Sequence, residues 1–177
     1  MKEVYRKKAQ VWVETVVYTM IAFVMIALVL AFAKPKIEEM KDKSIIDQSI
    51  GLMEEIDLTV SEITQGSSGN KRVLEVGVND GVLKIDGENN RVFFEFEGKY
   101  TYSEPGIPLS RGNLIIYTEK TGKISKVNIT RSYDYNITYE LGDELKSIGK
   151  ASTPYSMLIS NKGKDLQNKI IIDFKVS

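Results

Sequence analysis

Two hydrophobic periods divide the chain. Residues 11–33 are almost uniformly apolar, 23 positions interrupted only by Glu14 and three hydroxyl side chains. As an α-helix rising 1.5 Å per residue, that run spans roughly 34 Å, enough to cross a bilayer's hydrocarbon core. Beyond Pro35 the polarity rises but the helical period persists. Ile46, Ile50, Met53, Ile56, Val60 and Ile63 recur at steps of three and four, an apolar stripe along a polar helix. The pattern predicts one helix over residues 10–64, membrane-spanning over 11–33, with Pro35 removing one backbone bond and kinking it. The stretch Gln65-Gly66-Ser67-Ser68-Gly69-Asn70 ends the helix and reads as a linker over 65–70.

From residue 71 the period changes to two. Strands are predicted at 72–78, 82–85, 91–97, 113–118, 123–130, 133–140, 157–160 and 169–176. Asn79-Asp80-Gly81 between the first two predicts a hairpin turn. Further turn signals fall at Asp86-Gly87, Pro105-Gly106, Thr121-Gly122 and Leu141-Gly142. About eight short strands at this spacing favour a β-sandwich over 71–177. The predicted fold class is therefore α+β, a long N-terminal hydrophobic α-helix followed by an all-β sandwich head domain.

Composition narrows the chemistry. Lys plus Arg and Asp plus Glu number 24 each, so no net field marks the chain for nucleic acid. There is no cysteine and no histidine, hence no disulfide framework, no thiolate nucleophile, no imidazole base and no usual zinc ligand. The carboxylates of Asp80, Asp86 and Glu88 sit in turn-forming sequence whose spacing does not match an EF-hand loop, so they read as turns and no metal site is expected. No Gly-rich phosphate loop, nucleophile elbow or paired-acid constellation stands out. The expectation is a protein that is not an enzyme, with no cofactor and no small-molecule substrate.

Charge sets the orientation. Lys2, Arg6, Lys7 and Lys8 precede the apolar run with only Glu3 opposing them, which puts that end in the cytoplasm and the bulk of the chain outside. Lys34 and Lys36 are placed to snorkel at the outer interface. Ala31-Phe32-Ala33 is a weak match to an ordinary signal-peptide cleavage site, but the apolar run is about twice the usual length and the helical pattern continues past it. Glu14 is costly in this setting. A carboxylate at the centre of a spanning helix costs about 2.5–3.5 kcal/mol on insertion scales, less near its end.

Basic leader, Lys7-Lys8-Ala9-Gln10 junction, and a long hydrophobic helix with Glu14 at the fifth position counted from Gln10 together resemble a class III signal peptide of the type IV pilin superfamily, in the form found in archaeal pilins and archaellins. Archaeal members often carry Ser two residues after the Gln, where this chain has Trp12. The resemblance implies a pilin-like layout and a prepilin peptidase that recognises Lys7, Lys8, Ala9 and Gln10. It implies a cut between Ala9 and Gln10, removing residues 1–9 as a leader. Cleavage frees an α-amino group on Gln10, largely protonated near neutral pH. Glu14 of one subunit is then placed to pair with that ammonium of its neighbour, and an out-of-register neighbour leaves both unpaired. Gln10 and Glu14 are the expected register pair of an assembled filament. The simpler alternative is that Glu14 sits at the cytoplasmic interface and snorkels into water.

Two Asn-x-Thr sequons, at Asn128 and Asn136, are candidate N-glycosylation sites. In a strand over 133–140, Tyr133, Tyr135, Ile137 and Tyr139 share one face and Asp134, Asn136 and Thr138 the other, so the Asn136 acceptor is expected to point away from the core. The functional expectation is a structural subunit of an archaeal type IV pilus-like surface filament, membrane-inserted first and extracellular after assembly. Its partners are then the membrane, the prepilin peptidase and copies of itself or other pilins. The alternative is a single-pass cell-surface binding module of adhesin type, or a minor pilin outside the filament bulk.

Overall fold

A computed structural model describes the backbone from Lys2 to Ser177 and the side chains from Trp12 onward. Helix α1 runs over Lys2–Gln65 and continues through Pro35. Two compact units divide within it, one ending at Met40 and the other running from Lys41 to Ser177.

In the first unit the side chains of residues 12–32 are all exposed. Trp12 is 70% exposed, Phe23 71% and Phe32 81%. By length and composition this stretch qualifies as a membrane span, and none of its apolar window is buried.

The second unit holds the rest of α1 and ten strands among the described residues. They are β1 (Lys71–Val76), β2 (Val82–Asp86), β3 (Arg91–Gly98), β4 (Leu109–Arg111), β5 (Leu114–Thr121), β6 (Ile124–Ser132), β7 (Asn136–Tyr139), β8 (Lys146–Gly149), β9 (Tyr155–Lys164) and β10 (Ile170–Val176). They form a four-stranded sheet ordered β1-β9-β10-β7 and a six-stranded sheet ordered β4-β5-β6-β3-β2-β8. The six-stranded sheet is antiparallel throughout, whereas β7 lies parallel to β10 in the other. The α+β layout of long helix and two-sheet head is the one the hydrophobic periods predict.

One core joins the helix stripe to both sheets. Ile46, Ile50, Met53, Ile56, Val60 and Ile63 are all buried, and they cluster with Phe94, Ile116 and Ile129 of the larger sheet and Ile159, Ile172 and Phe174 of the smaller. Polar contacts fix the helix at points along this length. The Asp42 carboxylate accepts the backbone N–H groups of Lys99 (2.6 Å) and Tyr100 (3.3 Å). Arg111 donates to Glu54 at 3.0 Å, Arg131 and Asn113 both donate to Asp57, and the Asn161 amide reaches the Ile63 carbonyl at 3.3 Å.

Three local readings change. Asn79-Asp80-Gly81 is not a hairpin turn. β1 pairs with β9 and β2 with β3 and β8, so the three residues carry the chain from one sheet to the other. Gly81 is required there: its φ is +84°, and a Cβ would stand 2.6 Å from the Glu95 carbonyl and 2.7 Å from the Phe94 ring. The Gly/Ser stretch after the helix is tied down on both sides. Gly66 N–H bonds to the Ile63 carbonyl, Gly69 N–H to the Asn161 carbonyl, and Asn161 N–H to the Asn70 carbonyl. Strands β4 and β8 are additional, and β7 is shorter than the predicted 133–140 because Tyr133 and Tyr135 precede it as irregular chain.

Candidate functional site

The exposed apolar helix and its one carboxylate come first. Glu14 and Tyr18 are four residues apart and share a helix face. The Tyr18 hydroxyl donates to Glu14 Oε1 at 3.3 Å. Thr19, one residue further, is already satisfied within the helix, its hydroxyl bonding to the carbonyls of Thr15 (2.7 Å) and Val16 (2.9 Å). Glu14 thus has a local donor, and its carboxylate retains acceptor sites beyond that one bond. Sequence reasoning singled out Glu14 but missed Tyr18, for which the four-residue spacing was the available signal. The side chains of Lys7, Lys8, Ala9 and Gln10, the expected peptidase and register residues, lie outside the described residues.

The two sequons sit in different surroundings. Asn128 is on the outer face of β6, a strand flanked on both sides by β3 and β5. Its neighbours Val127 and Ile129 point into the core. It stands opposite Glu95 on one side and Tyr117 on the other. Thr130, two residues on, donates its hydroxyl to Asn128 Oδ1 at 3.0 Å. Tyr117, Glu119, Lys126 and Asn128 line a shallow depression of about 90 Å³.

Asn136 opens β7, the edge strand of the smaller sheet. As predicted, Ile137 beside it is buried in the core. The outer face here is nevertheless covered: Thr138 and Asp173 are both buried on it, and the Thr138 hydroxyl donates to Asp173 Oδ1 at 2.9 Å. Asn136 Nδ2 itself donates to Asp165 Oδ2 at 2.6 Å. Asp165 also accepts the backbone N–H groups of Gln167 and Lys169, which holds the β9–β10 turn. Nothing in the local alternation announced this partner, since Asp165 is 29 residues away.

Two of the turn carboxylates are occupied by turn chemistry: Asp80 accepts the Gly81 N–H, and Asp86 is held from several sides. Asp86 is 5% exposed and accepts from the Asn89 backbone and side chain and from Arg91 Nε at 2.8 Å. Burial alone pushes its carboxyl up, but the bonds from Asn89 and the Arg91 guanidinium outweigh it and hold it below its ordinary value. Glu95 behaves alike: burial raises it, and the ammonium groups of Lys84 and Lys126 more than reverse the effect. Lys84 and Arg91 also flank the Phe93 ring, at 5.5 and 4.8 Å from its centroid, which closes over this outward-facing phenylalanine. Among the described residues, no group of three acidic side chains is arranged to hold a metal ion.

Two further open clefts lie on the surface of the described residues. One of about 600 Å³, lined by Thr64, Ser68, Asn161, Lys162 and Lys164, lies where the helix ends. Another of about 500 Å³ includes Glu88, Asn90, Asn136 and Asp143. Their polar linings are amides, hydroxyls and singly charged groups, beside Ile170 in the first and Ile171 in the second. Compared with protein-family models, with characterised proteins and with solved structures, the chain matches none.

Proposed function

We propose that the chain is a structural subunit of a type IV pilus-like surface filament, cut between Ala9 and Gln10 and assembled through its N-terminal helix. The observation that carries this reading is the apolar stretch of α1. Its side chains over residues 12–32 are exposed on every side, yet it bears a single carboxylate, Glu14. An apolar surface of this extent needs lipid or protein around it. A plain anchor accounts for the apolar residues and leaves the carboxylate as a pure cost. A helix that passes from lipid into a bundle of its own kind uses both: the apolar surface packs, and Glu14 meets the Gln10 ammonium of the adjacent copy. The basic leader supports an orientation with residues 41–177 outside the cell.

Intact mass of the protein extracted from membranes tests the first step. The expected species begins at Gln10, and a mature species retaining residues 1–9 sinks the reading. Glu14→Ala tests the second. The variant is expected to be processed and membrane-inserted but absent from sheared surface filaments; wild-type filament yield from it overturns the register role.

A further inference from the structure

We propose that Asn128 is the N-glycosylated residue of the head, and that Tyr117 with Glu119 and Lys126 seats the first sugar of the glycan. The inference rests on the outside placement of the head given above.

Both sequons satisfy the same sequence rule, so the fold has to separate them. On β6 the sequon's hydroxyl and amide already face each other, with Thr130 donating to Asn128 Oδ1. That bond turns the amide nitrogen away from Thr130, and among the described residues Nδ2 makes no hydrogen bond. The side chain projects outward from a sheet whose opposite face is the core. Directly across on β5 stands Tyr117, half-buried and flat-ringed. An aromatic face offers the C–H face of a pyranose an apolar partner, while Glu119 and Lys126 at the rim offer an acceptor and a donor for its hydroxyls. A depression of this composition beside an unengaged amide nitrogen has the chemistry of a sugar seat.

Asn136 has the reverse arrangement. Its Nδ2 is committed to Asp165 at 2.6 Å, and its sequon hydroxyl is buried against Asp173. A sugar there crowds the contact that fixes the β9–β10 turn.

The transfer joins Asn128 Nδ2 to C1 of a lipid-phosphate-linked oligosaccharide. The N–C1 bond forms as the C1–O bond to phosphate breaks; one amide proton is released and the lipid phosphate leaves. Because β6 is enclosed by β3 and β5, the transferase reaches the sequon before the sheet closes, and the finished head then carries the glycan without losing a bond.

The test is glycopeptide mass spectrometry on the full chain, expressed in a host whose membrane carries an oligosaccharyltransferase for Asn-x-Ser/Thr. Trypsin separates the two sequons at Arg131. The peptide with Asn128 is expected to carry glycan mass and the peptide with Asn136 to be bare; modification of Asn136 to an equal or greater extent overturns the assignment. Gln65→Asn, on an Asn128→Gln/Asn136→Gln background, supplies a reference acceptor, Asn-Gly-Ser, at the exposed C-terminal end of α1. If the reference is modified and Asn128 in the unaltered chain is bare, the proposal alone falls. If the reference and Asn128 both stay bare, the outside placement falls and takes the proposal with it. Enzymatic removal of the glycan is expected to lower the melting temperature of the wild-type head and to leave that of Tyr117→Leu unchanged. An equal drop in both overturns the seat.

Discussion

The two halves of helix α1 solve opposite problems with similar residues. From Ile45 to Ile63 its isoleucines, valine and methionine are buried to the last few per cent against two sheets, and on the same half of the helix Asp42, Glu54 and Asp57 are each matched to partners on strands and loops. Over residues 12–32 equally apolar side chains stand exposed, and one carboxylate has a single phenolic donor. The difference lies in where the partners are. The second half carries its partners in its own chain; over residues 12–32 no described residue covers the apolar surface. Substitutions in the second half should therefore register in the unfolding of the isolated protein, and substitutions in the first should not.

The sharpest version compares two isoleucines. Ile56 is fully buried, and Ile56→Ala is expected to destabilise the head by about 2–5 kcal/mol through lost burial and a residual cavity. Ile21 is 54% exposed on the apolar half, and Ile21→Ala is expected to leave head unfolding unchanged in detergent. Denaturant unfolding followed by the near-ultraviolet signal of the head tyrosines checks both. A comparable loss from Ile21→Ala breaks the contrast.

A backbone test follows at Gly81, where the chain leaves one sheet for the other. Gly81→Ala forces a side chain into a left-handed residue and against the Glu95 carbonyl. The expected cost is about 1–3 kcal/mol from the strained conformation, with more if β3 has to shift. If Gly81→Ala melts like the wild type, the crossover between sheets is not held as described.

Gly81 also marks the limit of what could be read from residues alone. The six stripe residues of α1 were legible because helical period is local, and all six are buried. Eight of the ten strands were legible from alternation. Leu109–Arg111 and Lys146–Gly149 were not, since three- and four-residue edge strands are too short to show a period. Asn-Asp-Gly suggested a hairpin because Leu74, Val76, Leu83 and Ile85 alternate as a hairpin's strands do. That alternation is equally satisfied when the flanking strands lie in different sheets, and the choice is made by β9, some eighty residues on. The same holds for the site. Glu14 is conspicuous in any reading, whereas the contrast between Asn128 and Asn136 depends on Tyr117 and Asp165, which only strand register and the β9–β10 turn bring near.

Acid titration of the head tests its buried and half-buried carboxylates. The Asp86 carboxyl lies below its ordinary value once burial has been outweighed by Asn89 and Arg91, and Glu95 lies below its own. Groups depressed on folding stabilise fully above their unfolded values of about 4, and lose that contribution as pH falls through the folded ones. Head stability is therefore expected to hold near neutral pH and to decline below about pH 4. Asp86→Asn should be less stable at neutral pH, by roughly 1.5–3 kcal/mol for the lost charged hydrogen bonds, and its acid decline should be shallower. An unchanged acid limb in Asp86→Asn assigns the decline to other carboxylates.

The smallest effect probes the apolar half's internal polar pair. If the Tyr18 hydroxyl offsets part of the cost of carrying Glu14 through lipid, removing it should matter only while the carboxylate is present. Tyr18→Phe also makes the segment more apolar, so its effect alone is uninterpretable. A double-mutant cycle with Glu14→Ala cancels that contribution, because it enters both backgrounds equally. Measured as the fraction of full-length chain inserted across microsomal membranes, the coupling is expected near 0.6 kcal/mol, the average for hydrogen bonds inside membrane proteins, or about threefold in the insertion equilibrium. Zero coupling returns Glu14 to the interface, where water rather than Tyr18 satisfies it. A coupling well above that figure makes Tyr18 the main compensation for carrying Glu14 through lipid.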